Sequence, residues 1–196
     1  MSNSIIDMRL NGMGNGRLPL DFKCERYGIE CRMATEEDSS FIISLRTNEK
    51  LSKYLHSTEN DIMKQKEWMR RYEERHVNGE DYYFVYSHQG VPFSVNRIYN
   101  ITEKTATGGS WICVPGTIPE ISMASLILMR DILFEFLGKE YDLFDVQIGN
   151  KQVRKLHIML GAKKVGTTCD QENFSLYIED YFRCREDFLN LLNLKK

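Results

Sequence analysis

The fold is decided between residues 110 and 150, which read SWICVPGTIPEISMASLILMRDILFEFLGKEYDLFDVQIGN. Ser110 to Val114 has the aromatic and β-branched composition of a strand and stops at Val114-Pro115-Gly116. Thr117-Ile118-Pro119-Glu120 then supplies an N-cap, a first-turn proline and an acidic capping partner for a helix reaching Leu137. From Ile121 to Leu128 that helix is apolar on nearly all sides, which predicts deep packing, and Gly138 closes it. Tyr141 to Ile148 reads as a second strand with Phe144, Val146 and Ile148 on one face. Strand, buried helix, strand is a βαβ crossover, so the two strands are expected to be parallel and the connection right-handed. Where the first strand runs into the helix, free backbone N–H groups and the positive helix end face the same point, a place to hold an anion.

Outward from this unit the pattern stays mixed. Downstream, Gly149-Asn150 opens a short helix capped by Asn150, with Val153, Leu156 and Leu160 on its apolar stripe and Gly161 at its end. Lys163 to Ile178 reads as a final hairpin, and residues 181–196 as an amphipathic tail helix. Upstream, Ser110 to Val114 follows the turn signal Gly108-Gly109, and an antiparallel hairpin is predicted from Asp81–Tyr86 and Phe93–Ile101 around His88-Gln89-Gly90. Two helices come before it. One opens at the capping-box variant Thr35-Glu36-Glu37-Asp38 and buries Phe41, Ile42 and Leu45; the other opens at Thr58-Glu59-Asn60-Asp61 and carries Ile62, Trp68, Met69 and Tyr72 on one face. Tyr27 to Met33 is the first strand, and residues 1–26 form a partly irregular lead-in containing the glycine-rich Leu10–Gly16. Because no strand precedes and no helix follows those glycines, they do not make a dinucleotide loop.

Composition sets the limits on function. The 196 residues carry 26 Lys+Arg against 28 Asp+Glu, a net charge of -2, with no basic run longer than a pair, which argues against a nucleic-acid partner. Apolar runs such as Leu126–Met129 are far shorter than the roughly 20 residues of a membrane span. Five cysteines without zinc or redox spacing read as reduced thiols; with no signal-peptide pattern in the first 26 residues, the chain is placed in the cytoplasm and no metal is expected.

The segment Asn150-Lys151-Gln152-Val153-Arg154-Lys155-Leu156-His157-Ile158-Met159-Leu160-Gly161-Ala162-Lys163-Lys164-Val165-Gly166 is similar to a signature of the GNAT family of acyl-CoA-dependent N-acyltransferases: an asparagine, a fixed gap, a tyrosine or histidine, then Leu-Gly-Phe, with Ala162 here at the last place. Leu45-Arg46-Thr47-Asn48 with Lys53-Tyr54-Leu55 resembles the start of the branches that acetylate protein N-termini and amino sugars. The resemblance spans residues 27–180 and implies an α/β fold with a twisted mixed sheet, a βαβ core and helices on both faces. Where the family carries Gln/Arg-x-x-Gly-x-Gly/Ala, this chain has Pro119-Glu120-Ile121-Ser122-Met123-Ala124, so a serine replaces a glycine and a carboxylate stands near the expected diphosphate.

The resemblance implies acetyl-CoA as co-substrate, held by Ile112 and Val114 on an open strand edge, by Glu120, Ile121, Ser122, Met123 and Ala124 at the helix start, and by Asn150. It places His157 where the family's proton donor stands, and a partly charged imidazole suits that task. Arg46, Tyr54 and Tyr83 are expected in the acceptor pocket. Asp145 and Glu103 are the nearest carboxylates to serve as base, while Trp68 and Cys113 read first as packing residues. The expected partner is a small-molecule primary amine, an amino-sugar nucleotide before a protein N-terminus, with a homodimer left open. A fold of this kind that binds without catalysing is the competing class, fed by the unusual 119–124 segment.

Overall fold

A computed structural model describes residues 16–55 and 58–194, so Leu10–Asn15 of the glycine-rich stretch lie outside the described residues. The chain enters its sheet through a hairpin, β1 (Lys23–Arg26) and β2 (Ile29–Met33), turned at Tyr27 and Gly28, both at positive φ (58° and 72°). The strand expected from Tyr27 therefore starts at Ile29. Tyr27 accepts a left-handed backbone because its ring is buried and its hydroxyl donates to the buried Asp131 carboxylate, a tertiary contact that outweighs local preference. Residues 23–26, read as lead-in, form the edge strand, and Cys24 stands directly opposite Cys31.

After a 3₁₀ turn at Glu36–Asp38 comes α1 (Ser39–Arg46). Asp38 accepts the Thr35 backbone N–H at 2.8 Å and takes both Arg32 guanidinium nitrogens at 2.7 Å, so the capping-box reading of 35–38 holds. The next helix, α2 (Ile62–Val77), is capped by Asp61, whose Oδ1 accepts from the Met63 and Lys64 N–H groups at 2.9 and 3.2 Å. Its buried positions are Gln65, Met69, Tyr72 and His76; Ile62, expected on that stripe, is exposed. β3 (Asp81–His88) and β4 (Val91–Tyr99) form the predicted hairpin around Gln89 and Gly90, again both at positive φ, as a tight two-residue turn demands.

β5 (Thr105–Cys113) begins earlier than the sequence suggested, and Gly108-Gly109 lie inside the strand rather than in a turn. Their lack of side chains serves close packing. A Cβ on Gly108 would stand 2.6 Å from Met129 Sδ, and one on Gly109 would stand 2.9 Å from Tyr99 Oη. α3 (Pro119–Asp131) follows with proline in its first turn and runs into a π-helical turn, Ile132–Phe136, before Gly138 at φ 65°. β6 (Tyr141–Gln147), α4 (Lys151–Met159), β7 (Lys163–Thr167), β8 (Gln171–Tyr177) and α5 (Ile178–Leu191) complete the chain. On β6 the inward set is Asp142, Phe144 and Val146, whereas Ile148 is exposed.

The eight strands form one mixed sheet in the order β1-β2-β3-β4-β5-β6-β8-β7, antiparallel throughout except for the parallel pair β5 and β6. Strand alternation loads both faces. Tyr82, Phe84 and Tyr86 of β3 join a core with α3 and α5, while Tyr83 and Val85 join a second core with Ile42 and Leu45 of α1 and Met69 and Tyr72 of α2. The tail helix is part of this architecture: Tyr181, Phe188 and Leu189 are core residues, and Arg185 donates to Asp131 at 2.7 Å. Among the described residues no helix is long and apolar enough to cross a membrane.

Candidate active site

The parallel pairing of β5 with β6 lasts for two rows only, Thr105 with Tyr141 and Ala106 with Asp142. Beyond them the strands part. At the fork the Asp142 carboxylate takes over from the sheet, accepting the Gly108 backbone N–H at 2.8 Å. Further along, Ser110 at φ 56° marks a bulge in which two residues of β5, Ser110 and Trp111, stand opposite Asn96 of β4. Past the bulge the Val114 N–H donates to Phe93 O at 2.7 Å, so by the period of two Ile112 also turns its backbone toward β4. Trp111 and Cys113 therefore present their backbone groups to the open edge, in place of the Ile112 and Val114 expected from sequence.

The open edge leads to the start of α3. Thr117, expected as its cap, instead donates its hydroxyl to Val114 O at 2.8 Å, and Ile118 occupies the cap position with no side-chain hydrogen bond to the helix. The Thr117–Glu120 capping box is thus not formed. Ser122 N–H is taken by Ile118 O, which leaves the N–H groups of Glu120 and Ile121 at the helix mouth without a side-chain cap. Ser122 and Ala124 are buried and small, and Met123 packs against the core. A polar network ties this turn to the bulge: Ser125 Oγ donates to Ser122 O at 2.8 Å, Trp111 Nε1 donates to Ser125 Oγ at 2.9 Å, and Asn96 Nδ2 donates to Ser125 O at 3.3 Å. On the far side of the fork Asn150 caps α4, its Oδ1 accepting the Val153 N–H at 3.4 Å.

Two of the molecule's cavities meet at Arg46. The smaller, of about 90 Å³, sits in the fork and is lined by Tyr54, Tyr99, Gly108, Gly109, Ser110, Phe144 and Asp145 as well as Arg46. Tyr54, from the 3₁₀ turn Ser52–Tyr54, closes over it and donates its hydroxyl to Gly149 O at 3.0 Å. The larger, of about 440 Å³, lies between α2 and the β3–β4 face and is lined by Arg46, Thr58, Glu59, Lys64, Gln65, Trp68, Tyr83 and Arg97. Arg46 Nε donates to Thr58 Oγ1 at 2.8 Å. Tyr83 Oη is buried at the cavity wall without a hydrogen bond of good geometry, and burial pushes its phenol up while the nearby Arg46 charge opposes. Trp68 is a wall, not a free platform: it stacks on Tyr72, and the Arg75 and Arg97 guanidinium groups lie 5.1 and 4.9 Å from its ring centre.

His157 stands behind the smaller cavity. It is 7% exposed, its ring centre lies 4.5 Å from that of Phe144, and its Nδ1 is 2.8 Å from Arg130 Nη2. A guanidinium carries only donors, so Nδ1 must accept and the single ring proton sits on Nε2. Burial, helped by the Arg130 charge, holds the imidazole well below its ordinary value. The partly charged proton donor expected at this position is therefore not what the environment creates. Arg130, wholly buried, pairs in turn with Asp142 at 3.2 Å, so His157, Arg130 and Asp142 run as one chain from α4 through α3 to the fork. Of the two carboxylates weighed as base, Asp145 lines the smaller cavity, whereas Glu103 lies in the turn between β4 and β5. Tyr99, Arg97 and Gln65 also line these cavities though sequence does not single them out; the one signal for Tyr99 is Gly109, which makes room for its hydroxyl.

The sequence matches no protein-family model and no curated protein. Among solved structures it is similar to apo FdhC, a nucleotide-linked sugar GNAT, with 30% identity, a TM-score of 0.79, and coverage of 88% of this chain and 99% of that one. The spermidine N-acetyltransferase of Vibrio cholerae with CoA and spermine matches in fold at 16% identity and TM-score 0.66, over 79% of this chain and 98% of that one. The ribosomal-protein-S5-alanine acetyltransferase of Vibrio fischeri does so at 15% and 0.69, over 82% of this chain and 99% of that one. With the forked parallel pair and the 30% identity to FdhC in agreement, the chain belongs to the GNAT family and is an N-acetyltransferase.

Proposed function

We propose that the protein transfers the acetyl group of acetyl-CoA to the primary amine of an amino sugar linked to a nucleoside diphosphate. The observation that carries the acceptor class is the charge of the larger cavity, lined among the described residues by Arg46, Lys64 and Arg97 against a single acid, Glu59. Lys64 pairs with Glu59, and Arg97 is tied to Asp81, yet the wall remains cationic in sum. Such a wall suits an acceptor with a phosphate at one end and repels a polyamine. The 30% identity to a nucleotide-linked sugar GNAT supports the same class.

Acetyl-CoA would bring an activated acyl carbon on a good leaving group; the chain's own groups bind and orient. The uncapped Glu120 and Ile121 N–H groups, with the helix dipole behind them, suit the diphosphate, with Ser122 and Ala124 small enough for close approach. This makes backbone N–H groups the main phosphate ligands, in keeping with a net charge of only -2 and no local Arg or Gln at the motif. The Trp111 and Cys113 backbone groups at the open edge suit the amide-bearing arm, and a backbone N–H there polarises the thioester carbonyl. Asn150 keeps its cap and directly follows Gly149, whose carbonyl accepts the Tyr54 hydroxyl beside the smaller cavity.

A ligand that binds only the folded state raises its stability by roughly 2.7 kcal/mol at a hundred times its dissociation constant. Acetyl-CoA and a thymidine- or uridine-diphosphate-linked amino sugar should each raise the melting temperature, and spermidine should not. Stabilisation by spermidine together with indifference to the nucleotide sugar would overturn the acceptor class; indifference to acetyl-CoA would leave a fold that binds something else.

A further inference from the structure

We infer that Tyr99 is the catalytic proton carrier of this enzyme, with Asp145 holding the acceptor amine beside it. The assignment rests on acetyl-CoA being the donor, and it places the proton carrier on a strand end rather than on the helix that carries His157. Tyr99 is the last residue of β4, and its ring lines the cavity at the fork where β5 and β6 part. The hydroxyl lies against the β5 backbone: the Cβ that Gly109 lacks would stand 2.9 Å from Tyr99 Oη and 3.2 Å from its Cε1. Gly109 adjoins the Ser110–Trp111 bulge, next to the edge whose N–H groups would face the thioester. The Arg97 guanidinium lies over the phenol ring, 4.9 Å from its centre.

The surrounding charges fit the role. Tyr99 faces Arg97 of its own strand, Asp145 and Asp142 of β6, and Asp81 of β3; burial raises its phenol, Arg97 opposes, and the three carboxylates add to the rise. The group is thus kept protonated at neutral pH, as a donor to a leaving thiolate must be. His157 is the weaker candidate: it is buried and held neutral, its Nδ1 is engaged by Arg130 and its ring packs against Phe144.

The step closes without an outside proton. The neutral amine, accepting no proton but donating one N–H to Asp145, attacks the thioester carbon; the N–C bond forms and the C–S bond breaks with its electron pair on sulfur. Tyr99 Oη gives its proton to that sulfur and takes the proton released by the amine nitrogen, so the products are an amide and a free thiol, and the phenol returns to its starting state. A proton transferred by a positioned group is worth about 100- to 10,000-fold in rate.

Tyr99→Phe keeps the ring and its Arg97 stack while removing the hydroxyl. We expect turnover with acetyl-CoA and a nucleoside-diphosphate-linked amino sugar to fall at least about 100-fold, with the dissociation constant for acetyl-CoA changed by less than about threefold. A second measurement needs no acceptor: calorimetric titration at pH 8 with CoA and with desulfo-CoA. The native enzyme should bind CoA more tightly than desulfo-CoA because the phenol donates to the sulfur, and Tyr99→Phe should bind the two alike. A variant that keeps turnover within about threefold of native, or keeps the preference for CoA, would overturn the assignment while leaving the acetyl-CoA reading intact. A native protein that binds neither coenzyme form would sink that reading, and Tyr99 with it.

Discussion

His157 shows how far a residue's meaning depends on its neighbours. Its position in the Asn150-to-Gly161 motif was legible in the sequence, but its protonation state was set by Arg130, a residue 27 positions away that periodicity had counted only as part of an apolar helix. A buried arginine cannot be read from pattern, because its partners Asp142 and His157 come from other elements. The consequence is a stability effect. Both His157 and His76 are held below the ordinary value of 6.5 by burial. The unfolded chain therefore binds protons that the folded chain refuses: stability is complete above pH 6.5 and declines as pH falls toward the depressed folded values. Each such histidine contributes a slope of up to about 1.4 kcal/mol per pH unit. His157→Phe should be destabilised at pH 8, since Arg130 loses an acceptor, and should lose stability less steeply between pH 6.5 and 5. Urea melts across that range check this; parallel lines for native and variant would show that His157 titrates normally.

Among the elements, those with caps and periodicity were legible: the hairpin of β3 and β4, the βαβ unit, the Asn150 cap and the α5 helix all stand near where sequence places them. Three features were not. Glycine most often marks a turn, but Gly108 and Gly109 lie in β5 because Met129 and Tyr99 occupy the space their side chains would fill. The capping box at 117–120 had the right residues, yet Thr117 turns its hydroxyl back to Val114 and leaves the helix mouth open. The bulge at Ser110 depends on pairing with β4, which local sequence does not encode. Gly109→Ala tests the strand reading. Tyr99 is the flexible side of that contact and can give way, so we expect a melting temperature within a few degrees of native; but displacement of its hydroxyl should lower kcat by roughly tenfold or more, since a misplacement near 1 Å can cost about 100-fold. Unchanged kcat would show that the Tyr99 hydroxyl has no fixed place in the chemistry.

On the scale of the molecule, the division of labour follows the sheet. One face carries the main core with α3 and α5, locked by Asp131, which accepts from Arg26, Tyr27, Tyr181 and Arg185 and so joins the first hairpin, the central helix and the last helix. Arg26, from the segment read as a lead-in, and Tyr181 and Arg185, from the segment read as a tail, thus meet at one buried carboxylate, a long-range contact that no local window reveals. The other face carries α1 and α2 and the two cavities that meet at Arg46. Arg46, Lys64 and Arg97 line the larger cavity, while the start of α3 offers uncapped backbone N–H groups; under the proposed function the first meets the phosphates of the acceptor and the second those of the coenzyme. The account is tested most directly by mass analysis of products after incubating the enzyme with acetyl-CoA and, in separate reactions, a nucleoside-diphosphate-linked amino sugar, spermidine and an alanine-ended peptide. It predicts the nucleotide sugar one acetyl group heavier, with an equal amount of free CoA, and little change in the others; acetylation of spermidine or the peptide with the nucleotide sugar untouched would contradict it.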